Sequence, residues 1–370
     1  MLQQISFMKK RKKNNCILHF IISDAGGGAE NIVNSLTEKK NINNFKIYGV
    51  YISSIKNKKN RSLNRIFLNS SPFNILVLFK LYFLIKKLNK HNNIYLHSHL
   101  SYCLYYSYFI SFFFKIKLYH TEHNTFNNRR KYFFFKYIEN IIFYKFTKIV
   151  CISNAVKLSL HHWLYNFNKK KLIIIYNGVR IFDFHNESAQ LEKKNNELFF
   201  LSVGSLTNQK GYIPFLDIIK QVESIFDKYY IVGSGPLKKN IQKKIKKLNL
   251  TNKIKIINFT PNIENYYRKA DLLIIPSKWE GFGLVAVEGL SVGLPIIANN
   301  VDGLNEILKK NKEYVKLQTF QDVDGWVKSI KEFVSLIKKR NFNKFYEAHN
   351  YSKTFNKEIM IDNYYKKIYK

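Results

Sequence analysis

Short apolar runs of strand length recur along the chain, and segments long enough for helices separate them. In the first half they predict strands at residues 16–22, 45–52, 94–97, 116–120, 148–152 and 171–176. Apolar runs with little polar alternation are typical of strands that are buried on both faces. The first half therefore predicts an α/β unit, with a parallel sheet covered by helices.

The same alternation restarts after a polar stretch at residues 183–197. The later apolar runs predict strands at residues 198–203, 229–232, 254–257, 272–275 and 295–298. A chain of 370 residues has room for two such units. We therefore expect two α/β domains with a cleft between them, and ligands in such sheets bind beyond the carboxyl ends of the strands.

Residues 271–303 contain the most informative pattern for chemistry. An apolar strand is followed by a loop with Glu280, and a helix that begins near Gly283 carries Glu288. The first amides of a helix have no internal acceptors, so the N–H groups of Phe282, Gly283 and Leu284 can bind an anion. Each carboxylate can accept from two neighbouring sugar hydroxyls. The segment predicts a site for a ligand that has both phosphates and hydroxyls.

The sequence here resembles the retaining glycosyltransferases of the GT-B fold, especially family 4 (glycosyl transferases group 1). Glu280 and Glu288 are separated by seven residues, as in the E-x7-E motif of that family. Further similar segments follow in the family's order and spacing: IIYNGVR (174–180), LSVGSLTNQKGY (201–212), YIVGSGP (230–236), the whole of 257–298, and VDGLNEI (301–307).

The resemblance implies two Rossmann-like domains whose parallel sheets face a central cleft. We expect an acceptor domain at residues 1–180 and a donor domain at residues 181–350. The last stretch, residues 351–370, resembles the family's final helix and is expected to cross back to the first domain.

The resemblance also implies roles for residues of the second half. Glu280 would contact hydroxyls of the donor sugar, and Glu288 would hold the ribose of the nucleotide. Lys210 matches the lysine that binds the donor diphosphate, a task that suits its point charge. Ser205 stands where most relatives have a second phosphate-binding arginine, so it supplies a hydrogen bond but no charge.

The first half matches the family at fewer positions. Gly26, Gly27 and Gly28 lie at the first strand–helix junction, where the family's loop faces the donor phosphate and the acceptor. They do not form G-x-G-x-x-G, which argues against a nicotinamide enzyme. His123 matches a histidine that meets the reacting sugar, and we assign His99 a role in acceptor binding.

Two features suggest metal binding but have better interpretations. Histidines cluster at residues 97–99 and 120–123, and the metal-independent family accounts for them without zinc. Asp322-Val323-Asp324 is like a D-x-D metal motif, but it precedes a helical pattern and is interpreted as a helix cap. We predict no metal and no cofactor besides a nucleotide sugar as donor substrate.

The implied reaction moves a sugar from a nucleoside-diphosphate sugar (UDP or GDP) to a hydroxyl, with retention at the anomeric carbon. The implied acceptor is a cell-surface glycan or a lipid-linked saccharide precursor, as in capsule or lipopolysaccharide synthesis. Two alternatives remain: a GT-B sugar-nucleotide epimerase, and a basic nucleic-acid-binding protein. No recognised nucleic-acid-binding motif is present, so nucleic acid is not an expected partner.

The formal net charge of +36 has more than one explanation. Lysine and asparagine abundance is typical of an AT-rich coding sequence, whereas attraction to an anionic membrane or a polyanion is the other cause. Residues 129–148 interleave aromatic and basic side chains, which suits either a lipid interface or a helix with one buried face. Without a secretion signal, a membrane span or a disulfide pattern, we expect a cytoplasmic protein, peripheral on the inner membrane face if the first option holds.

Overall fold

A computed structural model describes residues 14–42, 44–54, 64–184, 197–339 and 345–369. These residues form two separate β-sheets flanked by helices. The polar stretch that we interpret as a linker lies almost wholly outside the described residues.

The first sheet has eight strands in the order β2-β3-β1-β5-β6-β7-β8, with β4 paired to β3. Its strands are β1 (Asn14–Ile21), β2 (Asn41–Ile42), β3 (Phe45–Tyr51), β4 (Arg65–Phe67), β5 (Asn92–His99), β6 (Lys117–Glu122), β7 (Lys148–Cys151) and β8 (Leu172–Ile174). Strand β1 pairs in parallel with β3 and β5, and β2 pairs antiparallel with β3. The buried, apolar strands therefore form the parallel sheet expected from the sequence.

The second sheet has six strands in the order β11-β10-β9-β12-β13-β14, and every pair is parallel. Its strands are β9 (Phe199–Val203), β10 (Lys228–Val232), β11 (Ile254–Ile257), β12 (Leu272–Ile275), β13 (Ile296–Asn299) and β14 (Val315–Gln318). Both units are thus Rossmann-like, as predicted.

Each of the eleven predicted strands is present within one or two residues at its ends. The strands missed by the sequence analysis are β2, β4 and β14. The first two have only two and three residues, which is too short for a pattern to be visible. The third carries Lys316 and Gln318 at the edge of its sheet, so it has no continuous apolar run.

Thirteen α-helices occur among the described residues. They are α1 (Gly28–Leu36), α2 (Leu76–Asn89), α3 (Ser101–Ile110), α4 (Phe134–Lys145), α5 (Asn154–Trp163), α6 (Tyr212–Gln221), α7 (Lys238–Lys247), α8 (Ile263–Lys269), α9 (Leu284–Ser291), α10 (Asp302–Leu308), α11 (Val323–Lys339), α12 (Tyr346–Ser352) and α13 (Lys357–Lys367). Helices α1 and α9 begin within one residue of the positions expected from the sequence.

The chain groups into two compact units. The N-terminal unit comprises Met1–Glu122 and Ile138–Val150, and the C-terminal unit comprises His123–Tyr137 and Cys151–Lys370. The domain boundary expected at residue 180 falls between the last strand of the first sheet and the first strand of the second, and it stays a prediction. So does the crossing of the last helix, which packs within the C-terminal unit against the backbone of Gly178.

The core of the C-terminal unit is rich in aromatic side chains. Trp326 on α11 is fully buried and packs edge-on against Phe215 of α6, with ring centroids 4.9 Å apart. Phe200 of β9 lies 4.9 Å from Phe226 in the same cluster. Aromatic pairs of this geometry add to the stabilisation from buried area. This core holds β9 and β12 in place, and their carboxyl ends carry the residues discussed below.

Two strand ends approach so closely that only glycine fits. A Cβ atom at Gly233, just after β10, would lie 1.9 Å from the carbonyl oxygen of Gly204, just after β9. The Gly204 N–H donates to the Val232 carbonyl at 3.0 Å, which fixes the two ends together. The Gly204 oxygen belongs to the backbone and not to a flexible side chain, so the backbone itself would have to shift to admit a Cβ atom at Gly233.

We expect Gly233→Ala to lower the free energy of unfolding by about 1–3 kcal/mol, the usual cost of overpacking. Urea denaturation followed by circular dichroism measures it. Gly27→Ala is the matched control, because its Cβ would meet the flexible carboxylate of Glu30. Equal stability of Gly233→Ala and the wild type would contradict the close approach.

Candidate active site

Lys210 is presented by a single helical turn, Asn208–Lys210, that follows β9. The turn ends at Gly211, which has a left-handed backbone with φ of 67°. A Cβ atom there would lie 2.1 Å from the carbonyl oxygen of Pro276, at the end of β12. Glycine thus allows the Lys210 turn to lie directly on the end of the neighbouring strand.

The loop after β12 is tied to the same turn by hydrogen bonds. The Lys278 N–H donates to the Gln209 carbonyl at 2.7 Å, and the Gln209 side-chain amide donates back to the Trp279 carbonyl at 3.0 Å. From the other side, the Asn299 amide donates to the Ser277 carbonyl at 2.8 Å. These three bonds fix the loop that carries Glu280.

Glu280 and Lys210 form an ion pair between Oε1 and Nζ, and both side chains are largely buried. The Ser277 hydroxyl donates to the same carboxylate oxygen at 3.0 Å. Pairing offsets the cost of removing two charges from water. An ammonium group has three donors, so Lys210 can hold Glu280 and still donate to a second acceptor.

The backbone around Glu280 is clamped from two sides. A Cβ atom at Gly281 would lie 2.2 Å from the carbonyl oxygen of His123, and one at Gly303 would lie 2.3 Å from that of Glu280. The Ser153 hydroxyl donates to the Gly281 carbonyl at 2.6 Å. The structure thus brings His123, predicted as a site residue, against the Glu280 loop.

The contacts that hold the Glu280 loop were not visible in the sequence. Besides Ser153, the Thr125 hydroxyl donates to the Glu280 carbonyl at 3.3 Å. Serine and threonine are common surface residues, and no spacing pattern marks either of them. The sequence did indicate Gly303, because it lies in VDGLNEI (301–307), a segment that resembles the family.

Burial keeps the imidazole of His123 neutral. It lowers the pKa of His123 to about 3, since desolvation disfavours the charged ring. His123 is therefore uncharged at neutral pH, and its backbone carbonyl points at the Glu280 loop.

Helix α9 begins where the sequence predicts an anion site. Gly283 precedes the helix with a left-handed backbone, φ of 89°, and the Ala286 N–H donates to its carbonyl at 2.9 Å. The amides of Phe282, Gly283 and Leu284 come before this first helical hydrogen bond, where a helix has donors to offer to an anion. Phe282 is buried to 2% exposure, so its ring anchors the loop.

Glu288 lies one turn further along α9 and receives a hydrogen bond that the sequence did not reveal. The Tyr267 hydroxyl on α8 donates to its Oε2 at 2.6 Å. Burial raises the pKa of Glu288 to about 7, while the Tyr267 bond and the Lys210 charge act in the opposite direction. Lys210 is thus close enough to act electrostatically on both predicted carboxylates.

Ser205 differs from these residues because its side chain is exposed. Its hydroxyl lies 3.4 Å from that of Thr207, at the start of the Lys210 turn. It adds no charge at this edge, so the ammonium of Lys210 is the basic group that the structure places next to Glu280.

The predicted glycine loop lies in the N-terminal unit, at the start of α1. Gly26 has φ of 90°, and Gly28 is the first helical residue. The Glu30 carboxylate folds back over this end, within 2.6 Å of the position of a Cβ at Gly27, and accepts from the Ser23 hydroxyl at 3.3 Å. Burial raises the pKa of Glu30. The contact of Gly26, Gly27 and Gly28 with a donor stays a prediction.

His99 is completely buried at the end of β5. Its Nε2 lies 3.1 Å from Nδ1 of His19, whose pKa is lowered by burial to about 3. His97 stacks on His99 with ring centroids 4.8 Å apart and bonds the Thr121 hydroxyl at 2.8 Å. The role of His99 in acceptor binding stays a prediction.

Helix capping is confirmed as the role of Asp322. Its Oδ1 accepts from the Gly325 N–H at 2.9 Å at the start of α11. Over the described ranges, no group of three or more His, Cys, Asp or Glu side chains is placed to hold a metal ion. The three cysteines are buried, and none of them forms a disulfide.

The basic and aromatic segment at residues 129–148 contains α4. One side of the helix is buried through Ile142 and Phe143, whereas Ile141 and Tyr144 on the other side are exposed. Both features expected as alternatives, a packed face and an exposed aromatic face, occur on the same helix. Among helices in the described part of the chain, none is both long and apolar enough to cross a membrane.

Two family models match adjoining parts of the chain. The model of Glycosyltransferase Family 4 matches residues 42–181, and that of Glycosyl transferases group 1 matches residues 183–346. The second match contains Lys210, Glu280 and Glu288.

Individual proteins that are similar to this chain are also glycosyltransferases. An uncharacterized glycosyltransferase of Methanocaldococcus jannaschii is 34% identical over 184 residues, which is 49% of this chain and 47% of that protein. A UDP-Gal:alpha-D-GlcNAc-diphosphoundecaprenol alpha-1,3-galactosyltransferase of Escherichia coli is 28% identical over 58% of this chain and 60% of its own. The chain thus spans about half the length of the curated relatives it matches.

Solved structures show the same fold. Anabaena HepE, crystallised with UDP and glucose, superposes with a TM-score of 0.79 at 16% identity, over 95% of this chain and 99% of HepE. At this identity the likeness concerns the fold alone. The two family models match adjoining parts of the chain, which folds as two Rossmann-like units. The chain therefore belongs to the family 4 glycosyltransferases of the GT-B fold.

Proposed function

We propose that the protein transfers a glycosyl group from a nucleoside-diphosphate sugar to a hydroxyl group of a glycan or lipid-linked saccharide precursor, with retention at the anomeric carbon. The observation that carries this proposal is the grouping of Lys210, Glu280 and Glu288 beside the amides that precede α9. One cation, two carboxylates and a helix start match the phosphates and hydroxyls of such a donor.

Lys210 and the amides of residues 282–284 would bind the donor diphosphate. Negative charge grows on the leaving diphosphate as the glycosidic bond breaks, and fixed donors stabilise it without reorganising. The turn and the loop that carry these groups are held by backbone contacts, which supports such preorganisation. Ser205 would add a hydrogen bond there but no charge.

Glu280 would accept hydrogen bonds from hydroxyls of the donor sugar, and Glu288 from the ribose. In the structure, Glu280 is bonded to Lys210 and Ser277. Its second oxygen leaves acceptor capacity for a sugar hydroxyl. The neutral His123 would meet the reacting sugar with its carbonyl or its ring, and its contact with Gly281 supports a place near Glu280.

A UDP-sugar is the donor that we favour, and a lipid-linked saccharide the acceptor. The Escherichia coli relative is a galactosyltransferase for UDP-Gal and a diphosphoundecaprenol-linked GlcNAc, and HepE was crystallised with UDP. Such an acceptor at the inner face of the cell membrane would fit a cytoplasmic protein that works at the membrane surface.

Lys210→Ala and Glu288→Ala should each weaken binding of the preferred nucleotide sugar about tenfold to a hundredfold, the range for losing charged hydrogen bonds. Isothermal titration calorimetry with a panel of UDP- and GDP-sugars measures the affinities. Lys316→Ala is the control, since it also removes a lysine–glutamate ion pair, with Glu332 on the surface.

Unchanged affinity in both variants would remove these assignments. Failure of every nucleotide sugar to bind the folded wild type, together with strong and salt-dependent binding of DNA, would favour the basic nucleic-acid-binding alternative.

Donor affinity should rise with pH, by about tenfold from about pH 6 to about pH 8. The pKa of Glu288 is raised to about 7, and its ionised form accepts from two ribose hydroxyls whereas the protonated form has lost an acceptor. Calorimetry should use a nucleotide sugar, because its phosphate diesters do not titrate in this range. In Glu288→Gln the donor affinity should not change with pH. A wild-type affinity that does not change with pH would contradict the assignment.

The same titration should appear in stability without any ligand. The pKa of this carboxyl group is near its ordinary value of 4.5 in the unfolded chain and about 7 in the folded chain, so the unfolded state loses its proton first. The free energy of unfolding should therefore fall by about 3 kcal/mol as pH rises from below the unfolded pKa to above the folded pKa. Relative to the wild type, Glu288→Gln should gain stability above pH 7, as measured by urea denaturation.

Retention is tested by the product itself. Proton NMR of the anomeric signal, recorded early in the reaction with an α-linked donor, should show an α-linked product. A β-linked product would contradict retention and leave glycosyl transfer intact.

A further inference from the structure

The N-terminal unit carries an apolar outer surface that its own fold does not use. We define the α2–α4 face by six exposed side chains: Phe79 and Phe83 on α2, Phe109 on α3, Phe112 just after it, and Ile141 and Tyr144 on α4. They range from 45% to 63% exposed. Single exposed apolar residues are ordinary, but a large contiguous patch marks an interaction site.

The residues of the α2–α4 face do not form the edge of the hydrophobic core, as helix α2 shows. Its inner stripe, Val77, Leu81 and Ile85, is fully buried against the sheet. Phe79 and Phe83 lie on the opposite side, where a surface helix normally has polar residues. The helix is thus apolar on both sides, and only one side is covered by the protein.

Contacts within the unit join the three helices into one surface. Phe73, at the start of α2, packs edge-on against Tyr102 of α3 at 5.0 Å. Further along α2, Tyr82 meets Phe113 at 5.6 Å. On the other side of α3, the Tyr105 hydroxyl donates to Glu139 of α4 at 2.9 Å. The helices therefore lie side by side, with α3 in the middle.

The charge of this region has one sign. Between Glu38 and Asp183 the sequence has two acidic residues, Glu122 and Glu139, and both are buried. The same segments carry exposed lysines: Lys87 on α2, Lys90 just after it, Lys115 after α3 and Lys145 on α4. Lys145 lies over the Phe112 ring at 5.8 Å.

We propose that the α2–α4 face docks the protein on the surface of an anionic phospholipid bilayer. The aromatic side chains would enter the headgroup and upper acyl layer, and the lysines would contact the anionic headgroups. The proposal goes beyond glycosyl transfer, because docking needs neither substrate. It also extends the membrane hypothesis for residues 129–148 to α2 and α3.

The charge argues against a second copy of this chain as the occupant. A symmetric dimer through this face would bring the lysines of both copies together, and no exposed carboxylate on it would offset their repulsion. A bilayer with anionic lipids supplies the opposite charge and an apolar layer beneath it.

Vesicle flotation of the full chain tests the proposal. The protein should float with vesicles of phosphatidylcholine and phosphatidylglycerol, far less with pure phosphatidylcholine, and less at high salt. The double variant Phe79→Ser/Phe83→Ser should lose about tenfold or more in affinity, since two rings leave the bilayer. Its control is Tyr165→Ser, an exposed aromatic residue of the C-terminal unit.

A second pair of variants tests the charge. Lys87→Glu/Lys90→Glu should weaken binding to anionic vesicles, whereas Lys243→Glu/Lys246→Glu on α7, with the same spacing and exposure, should weaken it much less. Circular dichroism checks that each variant is folded. Calorimetry with a nucleotide sugar should give wild-type affinity in all four, so failure of docking and failure of the donor site are distinguished.

Three outcomes would overturn the proposal. The first is no binding to anionic vesicles, or equal binding to neutral ones. The second is wild-type binding by both face variants. The third is a concentration-dependent dimer, seen by light scattering and abolished by Phe79→Ser/Phe83→Ser, which would assign the face to a second copy.

Discussion

Close backbone approach at the carboxyl edge of the second sheet is the constraint on which the candidate site depends. At Gly211, Gly233, Gly281 and Gly303, an added Cβ would lie about 2 Å from a carbonyl oxygen of another segment. Backbone segments in such close contact cannot move relative to one another without a clash. The main chain therefore holds the Lys210 turn and the Glu280 loop in place, which fixes the positions of their side chains.

Charges at this edge are arranged in a partly buried environment, and that determines their chemistry. Glu280 is paired with Lys210, whereas Glu288 receives a neutral hydroxyl from Tyr267 and has its pKa raised. Two carboxylates eight positions apart therefore have different partners, an ammonium group for Glu280 and a phenol for Glu288. A buried carboxyl group with a raised pKa, such as that of Glu288, is typical of functional sites.

The helices of the N-terminal unit carry more apolar residues than they need to cover the sheet. They must cover a parallel sheet, which needs one apolar stripe on each, yet α2 and α4 have two. The composition, rich in phenylalanine, tyrosine and lysine, could be taken for coding bias alone. The rings on the outer side, among exposed lysines, would give that composition a physical role in the membrane docking that we propose.

The sequence by itself determined the two parallel sheets, because buried strands must be continuous apolar runs and eleven of them are visible. It also determined Glu280, Glu288 and Lys210 as candidates, through their spacing and resemblance to a family. Only the tertiary structure decided that Thr125, Ser153 and Tyr267 support them, because these contacts join segments 21 to 155 residues apart through common residue types. The shared outer face of α2, α3 and α4 was likewise decided by packing, since the side of a helix that meets the sheet follows from its neighbours in space.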